Sequence, residues 1–371
     1  MARFVENLKI GTFRGMRDLT IPHLNHINII AGDNNCGKTT LLEALLLLRD
    51  PTYFPNVLRV ARERENMNSF YRSLPYDRLI SLFPSSNDVA AAKEISIQGN
   101  CHGKDVSIRL HGDIRDVMVD EEELNVGIVA PSPRRKSEPL ECKAFHGELL
   151  WAIGDDRATV DVKVNEYSRV TGTAISANPQ LKMVYLSPFA HLQGGIYSRI
   201  LKNEEYKKLC IDVLNLFDPG IEDILYLKNE ASSRPIECVK HRDTGIMLLS
   251  SYGDGIKKVL SIANGIAQAV NGVLLIDEVE TAIHAKYYEK IFRFIVSACK
   301  SFGVQLFVTS HSIEAIDGFL TTQDYDNRLD ENGDLLSVIT LKREGQKTYA
   351  RVLDGAHVYQ NRESFGFEVR L

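Results

Sequence analysis

Gly32-Asp33-Asn34-Asn35-Cys36-Gly37-Lys38-Thr39 is the stretch that decides the fold. It satisfies G-x-x-x-x-G-K-[ST] at each fixed position. Residues 26–30 before it read as a strand, and Leu41, Leu42, Ala44, Leu45 and Leu48 after it have helical spacing. The spacing has a physical reason. Glycines let backbone N–H groups converge on phosphate oxygens, and the following helix adds its positive N-terminal end. Lys38 is then placed to reach β- and γ-phosphates, and the Thr39 hydroxyl to bind Mg²⁺. The alternative is a chance glycine-rich turn, and the full motif in its full context weighs against it.

Two distant segments complete this reading. Residues 273–276 are an apolar strand that runs into Asp277-Glu278. Asp277 at the strand end is suited to hold Mg²⁺ beside Thr39, and Glu278 to polarise an attacking water. Buried strands often end in acidic residues without function, but the phosphate loop favours the metal-and-base reading. Residues 305–309 form a further strand that leads into Ser310-His311, one helix after the acidic strand. That order places His311 on the neighbouring strand, where an imidazole can sense the γ-phosphate.

Composition bounds the rest. The 371 residues carry 44 Lys+Arg and 49 Asp+Glu, a formal net charge of −5, with 44% hydrophobic and 25% charged residues. This is ordinary globular composition and excludes disorder, collagen and a disulfide scaffold. The length suggests about two domains, or one large domain with insertions. No stretch approaches the ~18 apolar residues of a membrane helix, and the first residues do not resemble a signal peptide. Six scattered cysteines without a C-x-x-C pair suit free thiols in a reducing compartment. A soluble, cytoplasmic chain is expected.

Outward from the loop, residues 4–10 and 19–21 read as short strands joined by a turn at Arg14-Gly15. Residues 93–98 and 105–110 read as a hairpin around His102-Gly103-Lys104, and Gly154-Asp155-Asp156 as the turn of a second. From residue 181 the pattern is α/β. Strands are expected at 183–186, 273–276 and 305–309, and helices at 204–217, 256–270 and 285–301. The closing segment, 335–371, reads as strand-rich. Such alternation implies a largely parallel sheet faced by helices.

These residues resemble the ATP-binding-cassette (ABC) type of ATPase, in its soluble branch with SMC, Rad50 and RecF proteins. Within it the chain looks most like the overcoming-lysogenization-defect (OLD)-like AAA ATPases of bacterial anti-phage systems. The resemblance rests on Phe13-Arg14-Gly15, residues 32–40 including Thr40, Asp254-Gly255, Asp277-Glu278 and residues 309–312. It implies an α/β P-loop NTPase of ABC-ATPase type. Its sheet would be mixed and mostly parallel, with an N-terminal antiparallel β portion and an inserted α+β segment. Residues 1–54 and 181–371 would form a discontinuous head. Residues 55–180 would be an inserted lobe of hairpins and helices, offering a surface for a dimer or partner. ATP and Mg²⁺ are the implied ligands.

The family also has a signature loop that contacts ATP on the opposite subunit. Here Ser251, Gly253, Asp254 and Gly255 stand at that place, with Gly253 where the usual serine would be. The residues after Glu278 resemble a D-loop, with His284 where many transporters have Asp. The glutamine loop stays open between Gln98 and Gln193.

Smaller signals read as bland. Asp156, Asp161 and Lys163 faintly echo a metal-dependent nuclease, a pattern that half-solvated strands produce routinely. Arg134-Arg135-Lys136 reads first as a solvated loop, with nucleic-acid contact the alternative. Residues 324–330 lack the glycine and terminal Glu of a calcium loop. Three functions follow. The leading one is an ATPase that dimerises, or forms a higher oligomer, and regulates a separate nuclease or toxin. The resemblance leads us to expect no nuclease domain of the kind that typically extends OLD proteins in the short stretch after His311. A RecF- or Rad50-like DNA-repair ATPase is second, and a transporter subunit third. No membrane partner is expected. Because Lys38 and Asp277 must share one site, the first and last thirds are expected to fold together.

Overall fold

The computed structural model describes residues 3–64, 73–85, 93–119, 140–168, 180–192, 203–228, 235–325, 333–345, 347–365 and 368–369. The turn expected at Arg14-Gly15 joins β1 (Val5–Phe13) and β2 (Met16–Ile21), with Arg14 in the left-handed region at φ 49°. Next come β3 (Ile27–Gly32) and α1 (Lys38–Leu48), flanking the glycine-rich loop as the periodicity predicts. Two helices follow, of the kind expected for this stretch but at positions the sequence did not reveal: α2 (Phe54–Arg62) and α3 (Pro75–Ser81), each with a proline in its first turn. Proline fits there because the first turn has no use for its missing N–H.

Four long strands then pair in succession: β4 (Lys93–Cys101), β5 (Lys104–Val119), β6 (Leu140–Ile153) and β7 (Asp156–Asn165). They continue the sheet that starts at the N-terminus, in the order β2-β1-β4-β5-β6-β7, antiparallel throughout. The seam pairs Lys9 with Gln98 and Ile10 with Ile97. The strands of the expected lobe are therefore hydrogen-bonded to the N-terminal strands.

The second half supplies the parallel sheet. Its elements are β8 (Met183–Leu186), α4 (Glu204–Leu214), β9 (Ile221–Lys228), β10 (Pro235–His241), β11 (Gly245–Leu248), α5 (Asp254–Gln268), β12 (Val273–Ile276), α6 (Tyr288–Ser301), β13 (Gln305–Thr309), α7 (Ile313–Leu320), β14 (Leu336–Glu344), β15 (Lys347–Asp354) and α8 (Gly355–Phe365). The strand order is β15-β14-β3-β13-β12-β8, parallel except for β15. Strands β9, β10 and β11 make a separate antiparallel sheet. The tail contains α8 as well as two strands, so it is less strand-rich than expected.

Side-chain alternation explains why the parallel sheet sits in the middle. Ile30, Leu275, Phe307 and Ile339 face a core shared with the antiparallel sheet and α1. Ile29, Leu274, Ile276, Val308 and Val338 face a second core under α5, α6 and α7. Strands covered on both faces read as continuous apolar runs, as 273–276 does. A buried glutamine ties the layers together. Gln305 Oε1 accepts the N–H groups of Phe4 and Val5 at 2.9 and 2.8 Å, and its amide donates to the Val5 and Asn25 carbonyls. Registers Ile30↔Thr309, Ile276↔Val308 and Ile276↔Leu186 bring the ends of β3, β13, β12 and β8 to one edge. All six cysteines are free and buried. Among the described residues, no helix is long and apolar enough to cross a membrane.

Candidate functional site

The phosphate-loop sequence leaves β3 through Gly32 at φ 138°, passes Asn35 at φ 64°, and enters α1 from Gly37 at φ 105°. Gly32 is required twice over. Besides its φ, a Cβ there would lie 2.3 Å from the Leu341 carbonyl oxygen. Lys38 Nζ donates to the Gly32 and Asp33 carbonyls at 2.7 and 2.9 Å, so its ammonium is held inside the loop. Burial pushes the Cys36 thiol up, with Lys38 as the main opposing pull. A solvent-open cleft of about 530 Å³ borders residues 33–36, between the loop and exposed Lys342 and Arg343.

Thr39 and Asp277 meet. Thr39 Oγ1 donates to Asp277 Oδ2 at 2.8 Å, across 238 residues of sequence. The other oxygen, Oδ1, accepts from Thr309 Oγ1 at 2.6 Å, and the Tyr185 hydroxyl reaches Oδ2 at 3.3 Å. Burial and the nearby carboxylate push the Tyr185 phenol up, so it remains a donor. A hydroxyl and a carboxylate side by side are hard oxygen donors suited to a divalent cation.

Glu278 follows in the left-handed region at φ 46°, which bends the chain sharply off β12. Its N–H donates to Thr309 Oγ1 at 2.7 Å, and its Oε2 accepts from Thr281 Oγ1 at 3.2 Å. His311 lies at the end of β13, half-exposed, with Nδ1 3.1 Å from Glu280 Oε1. Ser310 N–H donates to the Ile30 carbonyl, which ties this end of β13 to the strand that feeds the loop. Five of the expected residues therefore gather at one edge: Lys38, Thr39, Asp277, Glu278 and His311.

The signature candidates stand elsewhere. Ser251, Gly253 and Asp254 are exposed at the start of α5, and Gly255 is half-buried. Among the described residues, none of their hydrogen bonds reaches residues 32–40. Asp254 pairs with Lys257 at 3.1 Å, an exposed i,i+3 contact of little energetic weight. Gly255 has a packing reason, since a Cβ there would lie 2.8 Å from the Ala282 carbonyl oxygen. Thr40 is buried, and its Oγ1 accepts from Arg64 at 2.8 Å. Gln98 lies within the antiparallel sheet, opposite Lys9. Gln193, Arg134, Arg135, Lys136 and residues 326–330 lie outside the described residues. On β7, Asp161 and Lys163 share one face and Asp156 has the opposite parity, which separates the faint nuclease pattern.

Several charged groups here escaped the sequence reading. Glu43, fully buried in α1, accepts from Arg14 at 3.0 Å and from a fork on Arg64 at 2.7 Å. Its position within a run of leucines was the available signal, because a buried carboxylate needs cations. Glu280 and Lys258 are also buried. Lys258 Nζ donates to the Pro188 and Glu278 carbonyls, both at 3.3 Å. Burial pushes its ammonium down to about 8, against the opposing pull of Glu280, Asp277 and Glu278.

The depressed ammonium sets a pH dependence. The folded chain releases the Lys258 proton near pH 8, and the unfolded chain near 10.5. Between them the unfolded state binds more protons, so this residue's contribution to stability rises with pH across that window. The cost of burying the ammonium is therefore full below pH 8 and is relieved as pH climbs towards 10.5. Urea unfolding of the metal-free chain should show parent stability growing relative to Lys258→Met by about 3 kcal/mol from one end to the other, at ~1.4 kcal/mol for each pH unit. A difference that stays flat with pH would show that the ammonium is not penalised.

The chain is similar to several known proteins. Residues 4–113 match the family model described as "AAA ATPase domain", and residues 178–317 the one described as "AAA domain, putative AbiEii toxin, Type IV TA system". The chain is 22% identical to an ATP/GTP phosphatase of Helicobacter pylori, over 97% of this chain and 99% of that protein. It is 22% identical to the DNA replication and repair protein RecF of Pseudoalteromonas translucida, over 84% and 93%. Among solved structures it is similar to the Smc head domain with an extended coiled coil, bound to the C-terminal domain of ScpA, from Pyrococcus furiosus. There the TM-score is 0.51 at 12% identity, covering 98% of this chain and all of that one.

Proposed function

Because the chain is an ATPase of the ABC type, in the soluble branch with the SMC, Rad50 and RecF proteins, we propose that it closes as a dimer around ATP and thereby regulates a separate effector. The effector in this reading is a nuclease or toxin, and the setting is cytoplasmic anti-phage defence. The observation that carries the catalytic part is the 2.8 Å contact between Thr39 and Asp277.

Lys38 and the loop amides grip the β- and γ-phosphates. Thr39 and Asp277 would hold Mg²⁺, which would supply positive charge to offset that on the phosphate oxygens. Glu278 takes the proton of the attacking water, whose oxygen bonds to the γ-phosphorus as the bond to ADP breaks. His311 meets the γ-phosphate. Across the dimer, Ser251, Gly253, Asp254 and Gly255 of one copy face the ATP held by residues 32–40 of the other. The exposure of Ser251, Gly253 and Asp254 at the start of α5 supports that placement. The match of residues 178–317 to a model described with a toxin system supports the effector-linked role.

The test pairs the chain with the product of the gene beside its own and measures phage plating. Protection by the parent that disappears with Lys38→Ala is the expected result. Equal plating with both would remove the defence role. The likeness to RecF over most of the chain favours a second reading, a DNA-repair ATPase. Duplex DNA would then stimulate phosphate release, and the stimulation would fall steeply with salt.

A further inference from the structure

We infer that Glu280 is a positioning residue that fixes the orientation and tautomer of the His311 imidazole. The inference rests on the reading of His311 as the group that meets the γ-phosphate. Glu280 is only 7% exposed, in the bend that follows Glu278. Its Oε1 collects three donors from one short segment: Ser310 Oγ at 3.0 Å, the His311 backbone N–H at 2.8 Å and His311 Nδ1 at 3.1 Å. Its Oε2 is buried and has no hydrogen-bond partner among the described residues. Lys258 supplies the nearby positive charge.

Backbone and ring of His311 therefore bind the same oxygen, and that chelate restricts the side chain's rotation. It also decides where the ring proton sits. A neutral imidazole has one N–H, and the hydrogen bond made by one nitrogen sets the state of the other. A carboxylate oxygen at Nδ1 only accepts, so the proton resides on Nδ1 and Nε2 becomes the acceptor. A buried carboxylate plays the corresponding part for the histidine of serine-protease triads. A purely architectural Glu280 would instead serve only to tie the 278–282 bend to the end of β13.

Long-range ¹H–¹⁵N spectra of the full chain labelled at histidine separate these roles, with His311→Asn to assign the signal. The parent is expected to show the Nδ1–H form of His311, and Glu280→Ala mainly the Nε2–H form. Glu280→Gln keeps an oxygen for Ser310 and the His311 amide, and so guards against loss of fold. With the charge gone, its ratio of Nδ1–H to Nε2–H should still fall by about threefold or more. ATP turnover by Glu280→Gln should lose about tenfold or more in kcat with KM within about twofold. An unchanged tautomer ratio, or a changed ratio with unaltered kcat, overturns the inference. A changed ratio in Glu280→Gln, alongside a parent that does not hydrolyse ATP, would uphold the role of Glu280 and remove the reading of His311.

Discussion

Glu278→Gln is expected to lower steady-state phosphate release from ATP by roughly 10²–10⁴-fold while the chain still binds the nucleotide. The substitution preserves shape and removes the basicity that draws a proton from water. Its local supports should survive, since a glutamine carbonyl still accepts from Thr281 Oγ1 and the backbone N–H still reaches Thr309. The left-handed turn at φ 46° belongs to the backbone and is held by Val279 N–H on the Thr309 carbonyl at 3.1 Å. Stalled before hydrolysis, the variant should accumulate as a dimer with ATP. Light scattering would show twice the monomer mass with ATP and the monomer mass with ADP. Turnover within a few-fold of the parent would move the base elsewhere.

Lys38→Ala should act one step earlier and lose nucleotide binding itself. The ammonium is the compact positive charge inside the loop, held by two carbonyls at 2.7 and 2.9 Å. Without it those carbonyl dipoles stand where phosphate oxygens must come. A charge-assisted contact to phosphate contributes about 1.5–3 kcal/mol net, so affinity should fall at least about tenfold and up to about 150-fold. Equilibrium titration with a fluorescent ATP analogue reads this directly. Unfolding midpoints should match the parent, because α1 is held by its buried leucines and not by Lys38. Binding equal to the parent's would show that the loop does not grip phosphate.

How much of this was legible in the sequence depends on where each residue's partner lies. Loop, acidic strand and histidine strand were readable because motif, strand and helix sit within a few residues of one another. The alternation of Leu274, Leu275 and Ile276 between two cores follows from the same local periodicity. Glu280 was not readable, since its donors come about 30 residues later and a carboxylate in a loop announces no partner. Glu43 gave a local hint, a carboxylate within a run of leucines, but its partners were silent, because Arg14 and Arg64 arrive from a turn and a helix end. The small β9–β11 sheet escaped for another reason. Its strands alternate weakly and end in exposed Ile246 and Leu248, so no strong face marks them. In the tail, α8 carries apolar and polar residues with little facial contrast, and the strand pattern before it was extended too far.

The central claim is that Thr39 and Asp277, 238 residues apart, serve one metal. A double-mutant cycle on the Mg²⁺ dependence of ATP binding tests it most directly, with Thr39→Ala, Asp277→Asn and both together. If the two residues share the ion, either single substitution should remove most of the affinity that Mg²⁺ adds. The double variant should then lose no more than about twofold beyond the worse single, as expected for coupled neighbours. Losses that simply add would place the two residues at independent sites and contradict the account.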